Sequence, residues 1–119
     1  MTTALAQVLA QARESGYHVQ RVEQLRTNRW LLTVTDSTGA TVLILVQKRL
    51  LINSADVQDL AELLRLGRYQ QGILLVIDGT FSPASHRTAH ELSITRISLC
   101  TALPKVSPPP QMTPLFESI

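Results

Sequence analysis

The chain has 119 residues, 45% of them hydrophobic, which is enough for one core and too little to expect a second domain. Its formal net charge of +2 permits an acidic partner without calling for one, and its one cysteine, Cys100, excludes an internal disulfide framework. Gln7, Gln11 and two threonines break up the opening residues, and no apolar run approaches the roughly 18 residues of a membrane span, so neither a signal peptide nor a bilayer helix is expected and the cytoplasm is the expected setting.

Leu5, Val8, Leu9 and Ala12 recur at helical spacing, and Ser15-Gly16 supplies the stop, which predicts a first helix of about three turns. The pattern loosens through HVQRVEQLRTNR and then becomes WLLTVTDSTGATVLILV, two β-rich runs joined by Asp36-Ser37-Thr38-Gly39, whose turn chemistry predicts a β-hairpin. The second arm is apolar at every position over residues 42–46, as expected of a central strand covered on both faces. Asn53-Ser54 can cap a second helix, Asp56 suits its first turn, and Val57, Leu60, Ala61 and Leu64 form its apolar face until Gly67 or Gly72 ends it. GILLVID follows as another apolar strand. A helix between two such strands predicts a parallel pair joined by a right-handed crossover. Ser82-Pro83 starts a third helix that runs to about Leu92, and ITRISLC is the last strand candidate. Cys100 falls in that apolar-leaning run, where a buried, inert thiol is expected.

From Pro104 onward the chain carries five of its six prolines and no repeating apolar face, so residues 104–119 are expected to form an extended tail outside a domain of residues 1–103. Met112, Leu115 and Phe116 are the large apolar groups of that tail and the candidates for holding a partner. A crystal contact or an arm lying on its own domain is the plainer alternative.

GYHV after the first helix, VLILVQKR at the end of the second hairpin arm, GILLVIDGTFSPAS and ITRISL together resemble the Mrr-like branch of the restriction-endonuclease-like nuclease superfamily. The resemblance covers roughly residues 4–103 and lies in the order of elements more than in any one motif. It implies an α/β fold, a restriction-endonuclease-like three-layer sandwich with a mixed central sheet in the order helix, β-hairpin, helix, strand, helix, strand. The chemistry it implies is Mg²⁺-assisted phosphodiester hydrolysis, with an aspartate on the first hairpin arm, a Glu or Gln two residues before a lysine, and that lysine at the water.

Lys48 matches the family's lysine. Two residues earlier on the same strand face stands Val46, and Gln47 points to the opposite face. No carboxylate lies between Glu23 and Asp36, and Asp36 belongs to the hairpin turn. Lys48 therefore reads as a relic of a catalytic position or as a phosphate contact, and Glu14, at the end of the first helix, as a possible extra ligand of an active site or else as a solvated helix-end charge. His86 and His90 stand four apart on the third helix, a spacing that suits a transition metal but lacks a third ligand. No resident metal or other cofactor is expected, Mg²⁺ entering only if the chain is a nuclease.

Two functions follow. The first is a catalytically inactive nuclease-fold protein, a binding module or subunit of a larger assembly. A protein partner is expected there, and nucleic acid is the second candidate, through Arg26, Arg29, Lys48 and Arg49 with Arg21 nearby. Ordinary surface charge is the plain alternative for each, as it is for the separate cluster Arg65, Arg68 and Tyr69. The second function is a divergent Mg²⁺-dependent DNA endonuclease, its carboxylates drawn from Glu14 and Glu23 or from a partner. Neither the partner nor the oligomeric state is readable from the residues.

Overall fold

Thr3 opens the first helix of the computed structural model, which describes residues 3–92 and 96–105. Its hydroxyl accepts the Ala6 N–H at 3.1 Å, starting α1 (Ala4–Glu14). Ser15 caps the other end, and Gly16 turns the chain away with φ of +98°, a left-handed conformation that suits glycine. Three strands follow as a meander: β1 (His18–Arg26), β2 (Arg29–Thr35) and β3 (Thr41–Lys48), each antiparallel to the next. The predicted hairpin is β2–β3. Its turn is tied by Asp36, whose Oδ1 accepts the Thr38 hydroxyl at 2.6 Å and the Thr38 and Ala40 N–H groups at 2.9 and 3.0 Å. The Thr38 hydroxyl in particular holds the Asp36 carboxyl below the usual carboxylate range.

β1 is the element that periodicity does not reveal. Seven of its nine side chains are exposed, so no apolar alternation marks it, and backbone pairing to β2 makes it a strand.

After β3 come β4 (Leu51–Ile52), α2 (Ser54–Gly67), β5 (Gln71–Ile77), β6 (Thr80–Phe81), α3 (Pro83–Glu91) and β7 (Arg96–Cys100). The main sheet has the order β1-β2-β3-β5-β7, with β5 parallel to both β3 and β7, as the intervening helices require. β4 and β6 form a small parallel pair of their own. A capping box starts α2: Asn53 Oδ1 accepts the Ala55 and Asp56 N–H groups, and Asp56 Oδ2 accepts the Asn53 N–H at 3.0 Å. Gly67 is the last helical residue and Arg68 takes the left-handed turn, φ +59°. Ser82 caps α3 with Pro83 in its first turn, as the residues predict.

Two buried clusters lie on either face of the sheet. Val42, Ile44 and Val46 of β3 join Trp30, Leu32, Val34, Ile73 and Leu75 beneath Val8 and Ala12 of α1. Leu43 and Leu45 join Leu74 and Val76 beneath Val57, Leu60 and Leu64 of α2, with Ala89 of α3 at the margin. β3 is thus buried from both sides, which is why residues 42–46 are apolar without alternation. Gly72 lets α2 come close, since a Cβ there would meet Leu64 Cδ1 at 2.9 Å. Leu103 is buried against α1, its N–H donating to Gln11 Oε1 at 2.6 Å, while Pro104 and Lys105 are exposed. Among the described residues no helix is long and apolar enough to cross a membrane.

Candidate functional site

The register brings one set of predicted residues to a single end of the sheet. Arg26 of β1 pairs with Arg29 of β2, Arg29 pairs with Gln47 of β3, and Lys48 pairs with Ile77 of β5. The β1–β2 turn closes on this end: Asn28, with φ of +60°, accepts the Lys48 N–H on its carbonyl at 2.9 Å. Asp78, directly after β5, is also left-handed at φ +56°. Asn28 and Asp78 therefore bracket Lys48 in a conformation that costs most residues 1–2 kcal/mol and that Asn and Asp tolerate best. Beyond Asp78 the chain runs so close to Arg49 that a Cβ on Gly79 would lie 1.8 Å from the Arg49 carbonyl oxygen. β3 and β5 are parallel here, and the outer ends of parallel strands are where open α/β sheets hold their ligands.

The two faces of this end differ. Val46 is fully buried in the cluster beneath α1, and Lys48, two residues on, emerges from that side into solvent. Gln47 is turned to the α2 side at 3% exposure, and its Nε2 has no partner. Opposite it, the Arg29 Nε is likewise buried and unpartnered, while Arg29 Nη2 donates to Asp59 Oδ2 at 3.0 Å. Arg49 Nη1 reaches both oxygens of Asp56, at 3.3 and 3.4 Å. α2 thus answers two of the four predicted cations with acids of its own first turns. Lys48 and Arg26 are exposed, and among the described residues neither has an ion-pair partner.

The remaining candidates lie elsewhere. Glu14 stands four residues before His18, whose strand partner is Thr35, so the chain holds it toward the end of the sheet that carries the Asp36 turn. Lys48 is at the other end. Arg21 forms an exposed ion pair with Glu23 on β1, 3.1 Å long. Arg65 is paired with Glu62 on α2, and Arg68 and Tyr69 follow that helix. His86 stacks edge-on against Phe81, ring centres 5.8 Å apart, and His90 is exposed one turn further along α3. Cys100 is half-buried, and burial pushes its thiol pKa up, away from nucleophilic character at neutral pH. Met112, Leu115 and Phe116 lie outside the described residues.

Asp78 is the acidic residue that strand-by-strand reading overlooks. Its place beside Lys48 depends on the β3–β5 register, which no local pattern encodes. Mg²⁺ demands oxygen ligands in near-octahedral order, carboxylates among them. The Lys48 end offers an aliphatic side chain at position 46, the exposed Asp78, and two α2 acids already engaged by arginines. Among the described residues no three His, Cys, Asp or Glu side chains converge. These residues do not fit a Mg²⁺ site of the nuclease kind.

No protein-family model matches the chain, and no curated protein matches it. Among solved structures it is similar to EndoMS, a nuclease, in its apo form, with a TM-score of 0.57 and 16% identity; the match covers 90% of this chain and 46% of that one. The chain spans about half the length of that structure. At this identity the likeness concerns the fold alone: five mixed strands and three helices arranged as a nuclease-like fold.

Proposed function

We propose that the chain is a nuclease-fold module of the Mrr-like kind that binds without cutting and serves as a subunit of a larger cytoplasmic assembly. The observation that carries this reading is the strand end at Lys48. The position two residues earlier on the same face is Val46, wholly buried and without a ligand atom. A lysine that does not serve a metal-bound water is still suited to contact a phosphate. Lys48 and Arg26 stand free in solvent for such a contact. Arg29 and Arg49 would have to exchange an α2 carboxylate for a phosphate, so they contribute less. The tail side chains Met112, Leu115 and Phe116 belong, in this reading, to a protein partner.

The test is fluorescence anisotropy of labelled duplex and branched DNA over a salt series. The wild-type chain is expected to bind, with affinity falling as salt rises. Lys48→Ala/Arg49→Ala is expected to weaken binding about tenfold at low salt and to flatten the salt slope by about one, chiefly through Lys48. No measurable affinity at low salt would remove nucleic acid and leave the protein partner, which copurification from the native host followed by mass spectrometry would identify. A second reading, the divergent Mg²⁺-dependent endonuclease, is favoured by Asp78 beside Lys48. It requires cleavage that is lost in both Lys48→Ala and Asp78→Asn.

A further inference from the structure

β1 lies at the edge of the sheet, paired on one side only. An edge of nine residues leaves a row of backbone donors and acceptors open to another strand. Its sequence between the ends is Val19-Gln20-Arg21-Val22-Glu23-Gln24-Leu25, which is chemically self-complementary about Val22. Laid antiparallel against a copy of itself with the two Val22 residues opposed, each Arg21 faces a Glu23, each Gln20 a Gln24, and each Val19 a Leu25. Moving the register by one or two residues opposes unlike partners and loses the match.

The exposure of these side chains supports the same pairing. Val22 and Leu25 are 39% and 37% exposed, among the few large apolar groups that the described residues leave in solvent. Arg21 and Glu23 share one face by the period of two and are bonded to each other at 3.1 Å, with 72% and 44% of their side chains in water. They also line a shallow groove with Leu31, Leu63 and Tyr69. We infer that two copies of this chain associate through β1, antiparallel about Val22, into one continuous sheet in which two arginines and two glutamates alternate across the seam. The arrangement is isologous, each copy offering and receiving the same contacts. The register of β1 on β2 slips at Gln20 and at Leu25, so the regular ladder is confined to residues 21–24. Such a short seam gives a dimer that dissociates on dilution, and its charges decide who pairs.

Charge exchange tests this without nucleic acid present, so its outcome is separate from that of the DNA-binding reading. Sedimentation velocity over a wide concentration range is expected to show a monomer–dimer equilibrium for the wild-type chain. Arg21→Glu and Glu23→Arg each place like charges across the seam, and each is expected to raise the dissociation constant at least about tenfold. An equimolar mixture of the two variants is expected to recover the dimer, because the seam is complementary again. Val22→Lys, which opposes two ammonium groups, is expected to be monomeric, and circular dichroism checks that all three fold. A wild-type chain that stays monomeric at the highest concentration, a dimer that both single variants leave unchanged, or a mixture that stays monomeric would overturn the proposal.

Discussion

Gly79 and Gln47 are the residues beside Lys48 whose replacement separates architecture from binding. A methyl group on Gly79 would be driven into the Arg49 carbonyl, 1.8 Å away, so the strand ends at Arg49 and Gly79 would have to part. Gly79→Ala is expected to cost upward of about 2 kcal/mol in urea unfolding and to weaken any ligand of the Lys48 end along with it. Gln47 behaves oppositely. Its buried Nε2 bonds nothing, so Gln47→Met removes an unpartnered polar atom and is expected to leave stability within about 1 kcal/mol of wild type or above it. Tyr17 and Cys100 give a pH dependence. Burial comes first in raising each, and for Tyr17 the nearby Cys100 and Asp36 add to it. Both groups stay neutral in the fold at a pH where the unfolded chain ionises them, from about 8.5 for the thiol and about 10 for the phenol. The preference for the folded state is therefore full below about pH 8.5 and is lost as pH rises through the folded values. Urea midpoints should fall from neutral pH toward pH 10, and should fall less in Cys100→Ala and Tyr17→Phe. Part of the site was legible at this scale: Lys48 and the displacement of Gln47 follow from counting along one strand. The ion pairs that occupy Arg29 and Arg49 were not, because Asp59 and Asp56 reach them only once α2 has packed.

Elements with a buried face announced themselves. α1 and α2 carry caps and an apolar stripe, α3 is marked by its Ser82 cap and Pro83, and β3 and β5 are apolar through residues 42–46 and 73–77 because both faces are covered. β1 did not, since its side chains meet water on both faces and a solvated strand leaves no hydrophobic period to read. The end of α2 shows a second kind of ambiguity. Two glycines suggested a stop, yet the left-handed residue is Arg68, one place after Gly67. A side chain in that conformation carries a cost that glycine does not, so Arg68→Gly is expected to stabilise the chain by up to about 1 kcal/mol, read as a raised urea midpoint. Gly67 itself is poorly replaced, because a Cβ there would meet the Tyr69 ring at 2.4 Å.

The whole molecule is a mixed α/β fold, five strands and three helices, similar in architecture to a nuclease. Four of the sheet's five strands and the parallel β3–β5 crossover follow from the order of elements, whereas the β1 edge and the place of Asp78 depend on long-range register. Fold does not by itself carry function, and the proposal that this chain binds without cutting rests on Val46, buried under α1. The most direct measurement is a single titration of labelled duplex DNA with the wild-type chain in Mg²⁺ at low salt, reading anisotropy for binding and the recovered strand length for cleavage. Saturable binding with every strand recovered intact is expected, and weaker binding for Lys48→Ala/Arg49→Ala. Strands shortened in Mg²⁺ and intact in EDTA, with shortening abolished by Lys48→Ala, would contradict the proposal.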